Sequence, residues 1–292
     1  MMATFVLSAF ADEISPEVDT QIRELKRQGI GYVEFRSAAG KGVLDFTDGE
    51  LRELAQRFRD EGIGISSLGS PVGKVSIDTP FDACMEQVRR GLAAAQAMGT
   101  PNVRLFSYYI DGHEPEACRG EVLRRMEGMV RLAEGTGLTL LLENELHLYG
   151  DNAPRCHDIL SSLDAPQLRM TFDPSNFVQC GQDVLEAYAL LKPWIAYLHL
   201  KDSVWSGNIG KASMGYRDAS DVHRPLGQGD GQIAAWAAAL RGDGYQGFAS
   251  IEPHLAQVAS VPGTGVEKFA VAVAAAKRYF GEVQTNGKAD HQ

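Results

Sequence analysis

The sequence predicts a single (β/α)8 barrel over residues 1–281, and three observations carry that expectation. Helical and strand patterns alternate from one end of the 292-residue chain to the other, with eight strand candidates. No composition shift and no Pro/Gly/Ser linker divides the middle, so one domain is the simpler account. Three segments, "GIGYVEF", "GLTLLLE" and "GYQGFASIE", share one design: a helix-ending glycine runs into a strand that closes on glutamate. The glycine accepts a left-handed turn at a helix end, and the glutamate falls where barrel strands emerge. A doubly wound open sheet is the rival, but no G-x-G-x-x-G follows the first strand.

Taken in order, "FVLSAFADE" supplies the first strand. "PEVDTQIRELKRQGI" places apolar residues at helical spacing, begins on Ser-Pro and stops at Gly29, as helix start and stop signals require. "GYVEF" follows as the second strand. "DGELRELAQRFRDEG" then leads into "IGISSLGS", "DACMEQVRRGLAAAQAMG" into "NVRLFSYYI", and "CRGEVLRRMEGMVRLAEGTG" into "LTLLLENE". The run Leu138 to Leu142 shows no alternation and reads as a strand buried on both faces, as in a parallel sheet. "LRMTFDPSNF", "IAYLHLKD" and "GFASIEPHL" complete the eight, each preceded by a helix or turn. Residues 203–231 form a long, polar, glycine-rich loop after the seventh strand, of a kind more often functional than structural. Residues 282–292 read as a disordered tail.

Composition narrows the function classes. With 44% hydrophobic and 23% charged residues the chain is of ordinary globular make-up. Its net charge of −10 argues against nucleic acid, because no basic surplus exists to displace counterions. Four scattered cysteines without a C-x-x-C pair suit reduced thiols. No apolar run approaches the roughly 20 residues that span a bilayer, and "MMATFVLSAF" lacks the basic start of a signal peptide. A cytoplasmic chain without a membrane partner is expected. No Walker motif, G-x-S-x-G elbow or H-E-x-x-H occurs.

Four strands end in strong metal-ligand types: Glu143, Asp173, His199 and Glu252. A barrel converges its strand ends on one axis, so residues far apart in sequence meet there. Three carboxylates brought that close repel unless a cation neutralises them. With one imidazole they make a hard, mostly oxygen site suited to Mn2+, Mg2+ or Co2+, with Zn2+ also accommodated. Each residue alone has a plainer reading. Asp173 and Glu252 each precede a proline and could cap a helix, and His199 could be a satisfied core histidine. Glu34 binds a substrate hydroxyl or ties barrel strands together. Lys74 and Arg104 could bind an anionic group, and Arg104, inside an apolar strand, needs a buried partner. Arg224 either closes over the site from the long loop or stays solvated. Gly227, Gly229 and Gly231 make a loose version of a phosphate-cradling loop.

The segments "LLLENE", "TFDPSN", "YLHLKD" and "SIEPH" resemble the xylose-isomerase-like barrel superfamily of sugar phosphate isomerases and epimerases. Tagatose/psicose 3-epimerases, hydroxypyruvate isomerase and inosose dehydratase belong to that group. The resemblance spans nearly the whole chain and includes "SSLGSPVGKVSI", "VRLFSYYI" and "PLGQGDG". It implies one divalent metal held by Glu143, Asp173, His199 and Glu252, a small carbohydrate substrate, and a homodimer or homotetramer. It also implies that Glu143 takes a proton beside a ketone and Glu252 returns one from the opposite face, through a cis-enediolate. The alternative is a lyase that dehydrates a keto-polyol or cleaves a 3-keto-glycoside from the same enolate.

Departures qualify the resemblance. Glu145 stands where some members place a histidine, and His147 is shifted, as a substrate contact or a surface histidine. The epimerases often have "HxGE" where this chain has "HLKD". Lys201 therefore binds a substrate carboxylate or oxyanion, acts as an acid, or pairs with Asp202 or another neighbouring acid. Asn176 stands where the epimerases can place a histidine, and its amide could bond a substrate hydroxyl. An endonuclease IV-like phosphodiesterase shares the barrel but needs more histidines than the seven here.

Overall fold

Eight parallel strands close almost completely around a barrel in the computed structural model, which describes residues 2–205, 207 and 222–281. They are β1 (Thr4–Ala9), β2 (Tyr32–Phe35), β3 (Gly64–Leu68), β4 (Asn102–Leu105), β5 (Thr139–Glu143), β6 (Leu168–Phe172), β7 (Ile195–Leu200) and β8 (Gln246–Ile251). From β2 to β8 each strand pairs with its neighbours in sequence, and β8 pairs with β1 over six residues, Thr4 to Ala9. β1 and β2 lie in contact, but among the described residues no ladder hydrogen bond joins them.

Nine described helices separate the strands: α1 (Val18–Arg27), α2 (Asp48–Asp60), α3 (Phe81–Met98), α4 (Pro115–Ala133), α5 (Ala153–Leu163), α6 (Pro174–Gln179), α7 (Val184–Leu191), α8 (Ile233–Gly242) and α9 (Gly265–Phe280). Their ends follow local chemistry. Thr47 and Glu50 form a capping box on α2, as Thr264 and Glu267 do on α9. Gly99 ends α3 in the left-handed region at φ 73°, which a side chain would strain. The helices bury one face on the barrel through Leu25, Phe58, Ala95, Met129, Ile159, Trp236 and Phe269. Each large side chain among these contributes about 1.5–3 kcal/mol.

The barrel's own interior is polar toward the carboxyl ends of its strands. Ser8 Oγ lies 2.6 Å from Ser66 Oγ, which lies 2.8 Å from the Tyr197 hydroxyl. This chain of hydroxyls satisfies groups that an apolar core would orphan, and above it come the acids.

Element boundaries differ from expectation in three places. α1 begins at Val18 rather than at Pro16. β4 stops at Leu105 because the loop after β3 takes over its backbone: Phe106 N donates to Val72 O and Tyr108 N to Gly73 O. The stretch expected as one long loop starts and ends in an antiparallel ribbon, Asp202–Ser203 against His223–Arg224. Residues 206 and 208–221 of that stretch lie outside the described residues, as does the tail 282–292. No helix among the described residues is long and apolar enough to cross a membrane.

Candidate metal centre

Ligand-type atoms of Glu143, Asp173, His199 and Glu252 lie within 4.8 Å of one another. Glu143 is the last residue of β5 and Glu252 the first after β8; Asp173 follows β6 and His199 lies on β7. His199 Nδ1 is 3.0 Å from Glu143 Oε1, 3.1 Å from Glu252 Oε2 and 3.7 Å from Asp173 Oδ2. All four are buried. Asp173 also caps α6, but with its other oxygen: Asn176 N donates to Oδ1 at 3.0 Å. Capping and facing the cluster are therefore compatible.

Cations of the chain surround the acids. Lys201 Nζ lies 2.7 Å from Asp173 Oδ2 and 3.3 Å from Glu252 Oε2. Arg104 Nη1 lies 3.2 Å from Glu143 Oε2 and 3.7 Å from Glu252 Oε1, with Nη2 donating to Gly69 O. Its guanidinium stacks on Phe10 and Phe106, near 5 Å from each ring. Burial opposes charge on Glu252, but Lys201 and His199 outweigh it and hold the carboxyl well below its usual range. Burial likewise opposes charge on His199 and Lys201. The facing carboxylates prevail and raise both, Glu143 first for His199 and Asp173 first for Lys201.

A divalent ion fits this donor set. Glu143 Oε2 and Asp173 Oδ2 are buried and accept no well-aligned hydrogen bond, although an arginine and a lysine nitrogen lie close to them. Buried oxygens in that condition are costly, and an ion ligated at about 2.0–2.2 Å would satisfy atoms with these mutual separations. A second group, Glu13, Glu252 and His254, is also close enough to ligate. Arg36 already serves it, 3.3 Å from Glu252 Oε1 and 3.6 Å from Glu13 Oε1.

The other five expected site residues are placed as follows. Glu34 reaches His199 from the far side, its Oε2 3.2 Å from Nε2. Asn176 donates to Asn144 O at 2.8 Å and lies 3.5 Å from Glu143 Oε1. Lys74 pairs with Glu145 at 2.7 Å and sits over the Phe106 ring. Both line a cavity of about 630 Å3 together with Arg36, Arg104, Glu252 and His254. His147 stands apart from the cluster, with backbone φ 69° and Asp151 nearby. Arg224 donates to His223 O at 3.0 Å and lines a different, narrow cleft beside Leu200 and Pro253.

Sequence reading missed Arg36, Asn144, His223 and His254. Asn144 clamps two strand ends, donating to Asp173 O at 2.9 Å and accepting from Asp173 N at 3.0 Å. His254 stacks on His223 with centroids 4.5 Å apart. The spacing His254-x-Glu252 was visible, but nothing in it says which way the histidine points. The glycines after the seventh strand serve an internal anion. Gly227 N and Gly229 N donate to Asp202 Oδ2, and Gly231 N and Ser203 N to Oδ1, at 2.8–3.0 Å. Asp202 is thus occupied by amides, and Lys201 pairs with Asp173 and Glu252 instead.

Fold and cluster together define an α/β barrel with a buried carboxylate–histidine centre competent to hold a metal at its carboxyl end. The chain belongs to the family of xylose isomerase-like TIM barrels, whose model matches residues 22–270. It is 24% identical over 129 residues to a 3-dehydroshikimate dehydratase of Bacillus anthracis, a match covering 44% of this chain and about half, 46%, of that protein. Among solved structures, the IOLI protein with a bound zinc atom superposes with TM-score 0.75 at 16% identity, covering 95% of this chain and 100% of that one. D-psicose 3-epimerase with D-tagatose, from Clostridium cellulolyticum H10, gives TM-score 0.70 at 14% identity over 95% and 100% of the two chains.

Proposed function

We propose that the protein is a divalent-metal-dependent isomerase or epimerase of a sugar or sugar phosphate, working by proton transfer next to a carbonyl. The observation that carries this reading is the position of Glu143 and Glu252 at the carboxyl ends of β5 and β8, each about 3 Å from the same His199 nitrogen. Glu252 lines the 630 Å3 cavity and Glu143 lies behind it on the other side of the shared His199 nitrogen contact, an arrangement in which two carboxylates can serve the two faces of a bound ketose. In this reading Glu143 removes the proton beside the ketone and Glu252 returns one to the opposite face. Glu143, Asp173, His199 and Glu252 would hold the ion, which when bound would polarise the carbonyl and offset charge on the enediolate oxygens. Arg104 and Lys201 keep the bases ionised, since both sit among them as fixed cations. Arg36 and Lys74 offer the cavity wall cationic character toward a phosphate or carboxylate.

Lys201 favours a second reading, a lyase that dehydrates a keto-polyol or cleaves a 3-keto-glycoside. Its buried ammonium beside Glu252 is placed to protonate a departing β-oxygen, and the partial similarity to a dehydratase agrees with it.

Incubation of the Mn2+-loaded protein in deuterated buffer with a panel of ketoses, keto-polyols and their phosphates separates these. Deuterium exchange at the carbon beside the carbonyl is expected, reduced about 10²–10⁴-fold in Glu143→Gln and in Glu252→Gln. An ultraviolet-absorbing enone would favour the lyase. No exchange and no elimination with metal bound would remove both readings.

A further inference from the structure

Glu34 lies on β2, across the barrel from the strands that bear the cluster, and is 1% exposed. Its Oε2 meets His199 Nε2 at 3.2 Å, while Nδ1 of the same ring faces Glu143, Glu252 and Asp173. The imidazole therefore bridges two acidic walls, one nitrogen to each. Phe10 meets the ring edge-to-face at 5.3 Å and Tyr197 at 6.0 Å, so its flanks are closed by aromatics.

We infer that Glu34 is a positioning residue of the metal centre, holding His199 with its proton on Nε2 so that the Nδ1 lone pair faces the ion. A neutral imidazole carries one N–H, and a carboxylate at one nitrogen draws the N–H to that side. The same hydrogen bond makes the other nitrogen a better donor to a metal. Glu34 Oε1 accepts no hydrogen bond, so the carboxylate is committed through Oε2 alone. Arg104 lies near enough to interact with it electrostatically. Glu34 is absent from the lining of the substrate-sized cavity. The role assigned is thus neither substrate contact nor strand tie. It rests on the reading of His199 as a ligand.

The test is zinc affinity, measured by competition with a chromophoric chelator, in wild type, Glu34→Gln and Glu34→Ala. Wild type binding no zinc would overturn the ligand set itself. With wild type binding, Glu34→Ala is expected to weaken zinc by roughly 10–100-fold. Glu34→Gln should fall between, since its carbonyl still accepts the N–H without the charge. The zinc-loaded wild type should also show a downfield, exchange-protected imidazole N–H resonance that Glu34→Ala lacks. Should Glu34→Ala not fold, as judged by circular dichroism, the near-isosteric Glu34→Gln decides. Unchanged zinc affinity in the folded variants, with a raised KM alone, would overturn the inference and return Glu34 to substrate contact.

Discussion

Glu13 is a mostly buried acid whose titration is moved toward neutrality. Its side chain is 9% exposed, and burial raises its pKa from 4.5 to about 7 in spite of Arg36. A carboxyl whose folded value lies above its unfolded one keeps its full contribution below pH 4.5 and loses it as pH rises through 7. Glu13→Gln removes that loss. The variant should gain stability over wild type between pH 5 and pH 8, by up to about 3 kcal/mol at 1.36 kcal/mol per pH unit. Urea unfolding at the two pH values measures it, and parallel curves would show that Glu13 does not titrate there. At this scale the sequence was legible where residue type and strand end coincide, as at Glu143, Asp173, His199 and Glu252. It left Asp173 between cap and ligand because a letter does not show that the two oxygens point to different partners. Arg36 and His254 were illegible because their significance depends on contacts with Glu13, Glu252 and His223, which no local pattern encodes.

The segment that follows β7 shows how a motif can be read correctly in kind and wrongly in object. Alternating glycines announce backbone amides converging on an anion, and the anion is the chain's own Asp202. Asp202→Ala would leave four amides without their acceptor, those of Ser203 and Gly231 buried and those of Gly227 and Gly229 part-buried, at roughly 1–3 kcal/mol for each buried one in isolation. A loss of at least about 3 kcal/mol in chemical unfolding is expected after relaxation. Gly231→Ala tests the same nest from the other side, because a Cβ there would lie 2.6 Å from Asp202 Oδ1. Either variant matching wild-type stability would mean that the nest carries little of it. Loops after β2, β4, β5 and β8 hold Ala39, Tyr108, His147 and His254 at positive φ. A non-glycine residue in that region costs about 1 kcal/mol or more. The count of eight barrel strands was readable from periodicity. The ribbon at 202–224 was not, since two-residue strands carry no period.

For the molecule as a whole, the cluster gathers three carboxylates from β5, β6 and β8 around one nitrogen, so an added cation should stabilise the entire fold. Ligand at about 100 times its Kd contributes about 2.7 kcal/mol to a native state that alone binds it. An increase in Tm of roughly 5 °C with Mn2+, reversed by a chelator, is expected by differential scanning fluorimetry. No shift with any of Mn2+, Mg2+, Co2+ or Zn2+ would leave the centre without an ion. The barrel was legible because each βα unit repeats one pattern. The way it closes was not, because strand order is a property of the circle and not of any unit. Among the described residues that circle is joined by backbone ladders everywhere except between β1 and β2, and Glu34 rides on one lip of that gap. The hoop is thus a clasp rather than a weld. No ladder bond among the described residues fixes its girth at that point, and any spreading of the two lips would be felt as slack in the grip on His199.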